Sequence, residues 1–95
     1  MKNCGATMLI EYKREFVKRL NKLPPAIQER VREFAFVELP EFDSLGESGK
    51  IEKLQGYPDC FKVRFGDYRV CLVANGEKVT IHTVRHRGEV YRYFP

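Results

Sequence analysis

The chain has 95 residues, of which 43% are hydrophobic and 13% aromatic, and its formal net charge is +4. This length supports one modest hydrophobic core, so it predicts a single domain, and the composition excludes a disordered tail or a fibre. The apolar runs are only a few residues long, and the N-terminus lacks the apolar stretch of a signal peptide. We therefore expect a cytoplasmic protein with no membrane partner.

The positive charge is concentrated in the second half of the chain. Residues 1–49 carry eight basic and eight acidic side chains, whereas residues 50–95 carry nine basic and five acidic ones. A localised basic surface favours a polyanion or an acidic protein as the partner.

The three cysteines, Cys4, Cys60 and Cys71, are an odd number without CxxC spacing. This pattern argues against both a disulfide framework and a structural zinc site. We expect reduced thiols.

In the N-terminal part of the chain, the spacing of apolar residues changes from strand-like to helical at Glu11. The run MLIEY, residues 8–12, predicts a strand at a sheet edge, and residues 1–7 show no pattern. We expect residues 1–7 to form a disordered extension and residues 8–95 to form the single domain.

Two helical patterns follow the first strand. Apolar side chains recur at helical spacing from Phe16 to Leu23, and Pro24-Pro25 ends this helix and starts the next. The second pattern ends near Leu39. Because the break is so short, the two segments predict a helical hairpin.

The rest of the chain is typical of strands after a loop-like stretch at residues 41–49. Alternating segments cover residues 60–65, 68–74 and 77–84, with a weaker candidate at residues 51–54. Gly66-Asp67 and Asn75-Gly76 suit two-residue hairpin turns. The sequence therefore predicts an α+β fold, in which an antiparallel sheet of a three- to four-strand meander plus the N-terminal edge strand packs against the helical hairpin.

Two-residue turns fix the register of the strands that they connect. Arg64 should face Arg69, and Arg69 should in turn face His82. One face of the sheet is then apolar, and the other carries the residues Lys62, Arg64, Arg69, Lys78 and His82. We expect no carboxylate at the strand positions of that face. Because facing like charges weaken a sheet, a polyanion or acidic partner would supply the counter-charge.

The closing segment adds basic and aromatic residues. They are Arg85, His86, Arg87, Tyr91, Arg92, Tyr93 and Phe94. Strict alternation would send Arg85 into the core, so we expect the strand to end or bulge near Val84 and redirect it. Tyr93 and Phe94 are expected to fill the core.

A cluster of cations can bind a phosphate and stabilise the charge that develops on it in a transition state. With a ribose 2′-hydroxyl as nucleophile, RNA cleavage needs only positioning, a proton acceptor and a proton donor, and no metal. Lys62 is the candidate acceptor. Tyr91 or His86 is the candidate for the other proton, and the sequence leaves that choice open.

The segment KLQGYPDCFKVRFGDYRVCLVANGEKVTIHTVRHRGEVYRYF resembles the RelE toxins of the RelE/ParE superfamily of type II toxin–antitoxin systems. Its most specific pieces are KLQG-x-PDC, GDYR and HR-x-EVYR, and the similarity runs from about Met8 to the C-terminus. RelE-like toxins enter the ribosomal A site, cut mRNA and are held inactive by an antitoxin. The resemblance implies a ribosome-dependent, metal-independent endoribonuclease that leaves a 2′,3′-cyclic phosphate, inhibits translation and needs no cofactor. Its partners would be a small RelB-like antitoxin, the ribosome and mRNA.

The resemblance also implies a set of site residues. The catalytic set is Lys62, Arg64, Arg69, Arg85 and Tyr91, with His86 as a possible acid or base. The RNA-binding set is Lys62, Arg64, Arg69, His82, Arg87 and Arg92, and no residue is assigned to a metal.

One position departs from the family pattern. Arg64 stands where the family often has a lysine, and an arginine cannot transfer protons at ordinary pH. We also expect neutral replacement of Arg64 or Arg69 to stabilise the free fold slightly and to impair function. Two alternatives stay open, namely a ParE-like inhibitor of DNA gyrase and a catalytically inactive binding module with the RelE fold.

Overall fold

The computed structural model describes residues 9–41, 50–76 and 78–93. The elements are β1 (Leu9–Tyr12), α1 (Arg14–Leu20), α2 (Pro25–Arg32), β2 (Ile51–Lys53), β3 (Cys60–Phe65), β4 (Tyr68–Asn75), β5 (Lys78–His86) and α3 (Val90–Tyr93). A π-helical stretch, Glu33–Glu38, and a 3₁₀ turn, Leu39–Glu41, continue α2. The expected extension at residues 1–7 and most of the expected loop at residues 41–49 lie outside the described residues, as do Cys4 and the side chains of Tyr93 and Phe94.

The five strands form one sheet in the order β1-β5-β4-β3-β2. Neighbours from β2 to β5 pair antiparallel, which confirms the predicted meander and its fourth strand. β1 lies at the edge as expected, but it pairs with β5 in parallel. The helices carry the chain from β1 to β2 at the opposite edge, and the meander then returns to place β5 beside β1. The sheet is therefore mixed and not wholly antiparallel.

The two N-terminal helices meet at the break that the prolines impose. α1 ends at Leu20, and Pro25 occupies the first turn of α2, where its missing N–H costs no hydrogen bond. The Gln28 amide donates to the carbonyl oxygen of Leu20 at 3.0 Å. This bond adds a second donor to a carbonyl at the end of α1, which also accepts from the Leu23 N–H at 3.2 Å. No helix within residues 9–41, 50–76 and 78–93 has the length and apolarity needed to cross a membrane.

The main core lies between the helices and one face of the sheet. Phe16 and Leu20 of α1 and Phe34 after α2 are buried against the strands. The sheet contributes Val63, Phe65, Val70, Leu72, Val79, Ile81 and Val84. This arrangement confirms the predicted α+β fold and the predicted apolar face.

A second, smaller apolar cluster lies apart from the main core. Leu54, Cys71 and Val90 are buried there, with Cys60 and Val73 packed against them. Cys60, Cys71 and Val73 belong to the face that the sequence predicted to be basic. The short helix α3 therefore covers part of that face through Val90.

The register of β3 and β4 is the predicted one, with Arg64 facing Arg69. The register of β4 and β5 differs from the prediction in two ways. Asn75 stays in the ladder and faces Lys78, and a bulge leaves His82 as an extra residue, because Cys71 faces Thr83 and Leu72 faces Ile81. The predicted bulge is present, and it lies at His82, two residues before Val84. Beyond it the alternation of side chains is inverted, which places Arg85 on the face opposite the main core.

Candidate functional site

Three arginines form a row across neighbouring strands. Arg64 of β3 faces Arg69 of β4, and Arg69 faces Arg85 of β5. Arg85 therefore takes the place that the sequence assigned to His82. Lys62 precedes Arg64 by two residues on β3 and shares its face. We call these four residues, Lys62, Arg64, Arg69 and Arg85, the basic row.

A carboxylate lies beside the basic row. Glu52 of β2 faces Lys62, and its carboxylate oxygens are 4.0 Å from Lys62 Nζ and 3.7 Å from Arg64 Nε. The expectation that the strands of this face carry no carboxylate was wrong, because β2 has three residues and its pattern was too short to assign. The Arg64 and Glu52 side chains are 61% and 44% exposed, so this ion pair stabilises the fold by less than about 1 kcal/mol.

Arg69 is held by its own turn. Its Nη1 donates to the carbonyl oxygen of Gly66 at 2.9 Å and to that of Tyr68 at 3.1 Å. The guanidinium thus bends back over the hairpin that connects β3 and β4. The two carbonyl oxygens compensate part of the positive charge of Arg69, which reduces its electrostatic repulsion with Arg64 on the facing strand.

Arg85 is buried, with 7% of its side chain exposed, and it sits in a charged cluster. Its guanidinium pairs with Glu15 of α1 and lies 3.7 Å from Glu89. Arg19 bridges the same two carboxylates, at 3.0 Å from Glu15 and 3.8 Å from Glu89. The Thr83 hydroxyl donates to Glu15 at 3.3 Å. A buried guanidinium requires such partners, so these contacts fix Arg85 at the end of the row.

The Glu15 carboxyl responds to this environment. Burial alone would raise its pKa, but hydrogen bonds from Arg19 and Arg85 and the positive charges of both lower the pKa below the usual range. Glu15 is therefore ionised at neutral pH and balances the charge of Arg85.

The two histidines lie in different places. His86 faces Tyr68, and the two rings meet edge-on with centroids 5.5 Å apart. Because Tyr68 packs against the main core, His86 projects on the side of the sheet opposite Arg69 and Arg85. The Gly88 N–H donates to His86 Nδ1 at 3.1 Å. His82 is half-buried in the bulge, where burial and the charge of Lys13 lower its pKa.

The remaining predicted residues flank the row. Arg87 is exposed, and its Nε lies 3.6 Å from Asp67 in the turn between β3 and β4. Arg92 is exposed on α3. Tyr91 belongs to α3, and its side chain lies outside the described part of the structure. The structure thus brings Lys62, Arg64, Arg69 and Arg85 together and leaves His86 on the other side of the sheet.

Comparison with known proteins identifies the family. The family model of the ParE toxin of type II toxin–antitoxin systems matches residues 10–91. The chain belongs to the RelE/ParE family of toxins. The toxin RelE3 of Methanocaldococcus jannaschii is 32% identical over 89 residues, which are 93% of this chain and 100% of that protein.

Solved structures share this fold at different levels of sequence identity. The toxin of a RelB–RelE antitoxin–toxin complex from Methanococcus jannaschii superposes with a TM-score of 0.75 at 30% identity, over 90% of this chain and 99% of that one. A ParDE system from Pseudomonas aeruginosa superposes with a TM-score of 0.56 at 9% identity, over 85% and 97%. The second likeness is one of fold alone, so sequence similarity favours the RelE branch.

Sequence reasoning missed the acidic partners of this RelE/ParE-family site. The outward orientation of Glu52 could have been predicted from its position after Ile51, since successive side chains of a strand point to opposite faces. Glu15 gave no such signal, because it is separated from Arg85 by 70 positions and meets it only through the fold.

Two cysteines lie within the described residues, one in β3 and one in β4. Cys60 and Cys71 are free thiols. Burial raises the pKa of Cys71 to about 12, and burial with the nearby Asp59 charge raises the pKa of Cys60. Both therefore stay protonated at neutral pH. Three or more potential metal ligands do not come together anywhere in residues 9–41, 50–76 and 78–93.

Proposed function

We propose that this chain is the toxin of a RelBE-type system and acts as a ribosome-dependent mRNA endonuclease. The observation that carries the proposal is the basic row, in which Arg64, Arg69 and Arg85 are direct neighbours across three strands. The similarity to RelE toxins over nearly the whole chain supports the same interpretation.

The basic row suits a phosphodiester because its carboxylate partner Glu52 is only loosely paired with the β3 end of the row. Glu52 lies 3.7 to 4.0 Å from Arg64 and Lys62, longer than ordinary charge-assisted hydrogen bonds of about 2.8 Å. A phosphate offers more acceptor oxygens and displaces Glu52 from the Arg64 guanidinium. Arg85 keeps its carboxylate partners and holds the other end of the row.

The cleavage step needs an in-line attack on phosphorus. The ribose 2′-oxygen forms a bond to phosphorus, and the bond from phosphorus to the 5′-oxygen of the next nucleotide breaks, leaving a 2′,3′-cyclic phosphate. One group accepts the 2′-hydroxyl proton, and another donates a proton to the 5′-oxygen. The guanidinium groups of Arg64 and Arg69 stabilise the charge on the other phosphate oxygens.

Lys62 is our first assignment for the proton acceptor, and the Glu52 carboxylate beside it is the second. Arg64 stays protonated and serves only as a charge. Tyr91 is our assignment for the donor, since His86 lies on the other side of the sheet and its Nδ1 already accepts a hydrogen bond from Gly88. Lys62→Ala and Glu52→Gln, compared in single-turnover cleavage, separate the two acceptors.

The test is mapping of mRNA ends by primer extension in a translating extract. The full chain should produce cuts in the ribosomal A site, and Arg69→Ala, Arg85→Ala and Tyr91→Ala should reduce them strongly. Arg32→Ala removes an equivalent charge from α2 on the helical side and should leave cleavage unchanged. Cleavage at the normal rate in the first three variants would show that the assigned site is wrong.

A ParE-like gyrase inhibitor is the second candidate, because the matching family model carries the ParE description. A DNA supercoiling assay discriminates between the two functions. Inhibition of gyrase with mRNA left intact would overturn the nuclease proposal. A chain that affects neither target while still binding an antitoxin would be the inactive binding module.

The proposed partner is a small RelB-like antitoxin, since a similar toxin occurs in a RelB–RelE complex. The helical side exposes the apolar side chains of Val17, Phe36 and Val37, and the opposite side carries the basic row. A segment with apolar and acidic residues could cover both. Co-purification with the product of a short adjoining reading frame tests the partner, and binding that is indifferent to salt would contradict the electrostatic part.

A further inference from the structure

A cleft of about 330 Å³ lies between the start of α1 and the bulge in β5. Its walls are Lys13, Glu15, His82, Thr83 and Arg85. Clefts that bind small molecules have volumes of about 300 to 1,000 Å³, so this one suits a group no larger than a nucleotide. We call it the bulge cleft.

The bulge cleft is built from fixed side chains. Thr83 and Arg85 are both buried, and both hold Glu15, so they form a rigid wall. The backbone N–H of Lys13 donates to the Ile81 carbonyl at 3.0 Å, which anchors α1 against β5 at the mouth of the cleft. Bulges often redirect side chains next to functional sites, and here the bulge turns Thr83 and Arg85 onto one face.

The charges in the bulge cleft fit a ligand with an anionic part and a neutral part. Glu15 and Glu89 together offset the charges of Arg85 and Arg19, whereas Lys13 is exposed and contributes a further positive charge. His82 has a pKa below its usual value because of burial and the Lys13 charge, so its ring is neutral at pH 7. A neutral imidazole beside an ammonium matches a base beside a phosphate.

The bulge cleft is continuous with the basic row because Arg85 belongs to both. An RNA strand whose scissile phosphate lies on Arg64 and Arg69 has its neighbouring nucleotide within reach of this cleft. We propose that the bulge cleft binds the nucleotide adjacent to the scissile phosphate, with its phosphate on Lys13 and its base against His82. The identity of the polymer rests on the proposed function.

The first experiment measures nucleotide binding to the full isotope-labelled chain by NMR. Adenosine 3′-monophosphate should shift the amide signals of Lys13, His82 and Thr83. Lys13→Ala and His82→Ala should each weaken binding about tenfold, since a charged hydrogen bond or a stacked base contributes roughly 1.5 kcal/mol. His82→Phe keeps a stacking ring and should retain most of the affinity. Lys18→Ala removes an exposed lysine of α1 outside the cleft and should have no effect.

Inorganic phosphate is titrated in parallel to separate a nucleotide site from a phosphate site. Equal affinity for both probes, with no loss in His82→Ala, would overturn the assignment to a nucleotide. Shifts confined to other regions of the chain would overturn the site itself.

The second experiment measures mRNA cleavage in a translating extract. Lys13→Ala and His82→Ala should raise the mRNA–ribosome concentration needed for half-maximal cleavage about tenfold and alter the preferred nucleotide beside the cut. If the chain cuts mRNA and these variants behave like Lys18→Ala, the bulge cleft inference is wrong. If the chain cuts no mRNA but the NMR shifts occur, the nuclease proposal fails and the nucleotide site stands.

Discussion

Glu15 should be required for the stability of the fold because it balances the buried charge of Arg85. Glu15→Gln keeps the shape of the side chain and an acceptor oxygen but removes the negative charge, and it leaves Arg85 with Glu89 at 3.7 Å. Breaking a fully buried ion pair costs about 3 to 5 kcal/mol. The Glu15 side chain is 44% exposed, so solvent screens part of the loss, and we expect about 1 to 2 kcal/mol.

The matching assay is thermal unfolding at pH 7. For a chain of this length a loss of 1 to 2 kcal/mol lowers Tm by roughly 5 to 12 °C. Glu29→Gln removes the charge of an exposed glutamate on α2 and serves as the control, with a change of about 2 °C or less. Equal Tm values for the two variants would show that Glu15 does not balance Arg85.

The pH dependence gives a second check on Glu15. Its pKa is lower in the folded chain than in the unfolded chain, so its contribution is complete above the ordinary glutamate pKa of about 4.3 and is lost as pH falls further. The stability difference between wild type and Glu15→Gln should therefore be constant near neutral pH and shrink below about pH 4. A difference that grows on acidification would refute the reasoning.

Three further predictions concern the turn and the cysteine. Arg69→Ala should lower the free energy of unfolding in urea by about 1 kcal/mol, because the turn loses two hydrogen bonds. The sequence alone had led us to expect a slight stabilisation. A higher urea midpoint in the variant would support that earlier expectation. Cys71 should resist alkylation at pH 8 until the chain unfolds, since its thiol is buried with a pKa of about 12, and prompt labelling of the native chain would contradict that placement. Gly66→Ala should destabilise more than Gly76→Ala; both have positive φ, but a Cβ at Gly66 would lie 3.2 Å from Ile27 Cδ1, whereas nothing lies within 4 Å at Gly76, and equal losses of Tm would argue against the contact.

Local sequence signals predicted the parts of the fold that local physics controls. The turn at Gly66-Asp67 fixed the register of β3 and β4, and with it the pairing of Arg64 with Arg69. The helical period located the residues that cover the sheet. The parallel pairing of β1 has no local signal, because it depends on the helices leading to the far edge and on the meander returning to β1.

The candidate site was less predictable because its geometry depends on one extra residue in β5. Nothing in the run around His82 marks a bulge, and without it Arg85 would point into the core. The free-energy cost of burying Arg85 predicted that β5 bulges near Val84, but it did not identify the extra residue. The position follows from pairing along the whole of β4 and β5, which no short window contains.

The neighbouring like charges of Arg64 and Arg69 are tolerated in the free chain by acceptors that the chain itself supplies. Glu52 lies beside Arg64, and the carbonyl groups of the turn bind Arg69. Glu52 and the Gly66 carbonyl are exposed and the Tyr68 carbonyl is half-buried, whereas Glu15 pairs with buried Arg85. If the row binds a phosphate as proposed, we expect Arg64 and Arg69 to give up their present partners more readily than Arg85 does. Under the proposed function we therefore expect Arg64 and Arg69 to exchange partners when RNA binds, and Arg85 to stay fixed and orient the strand.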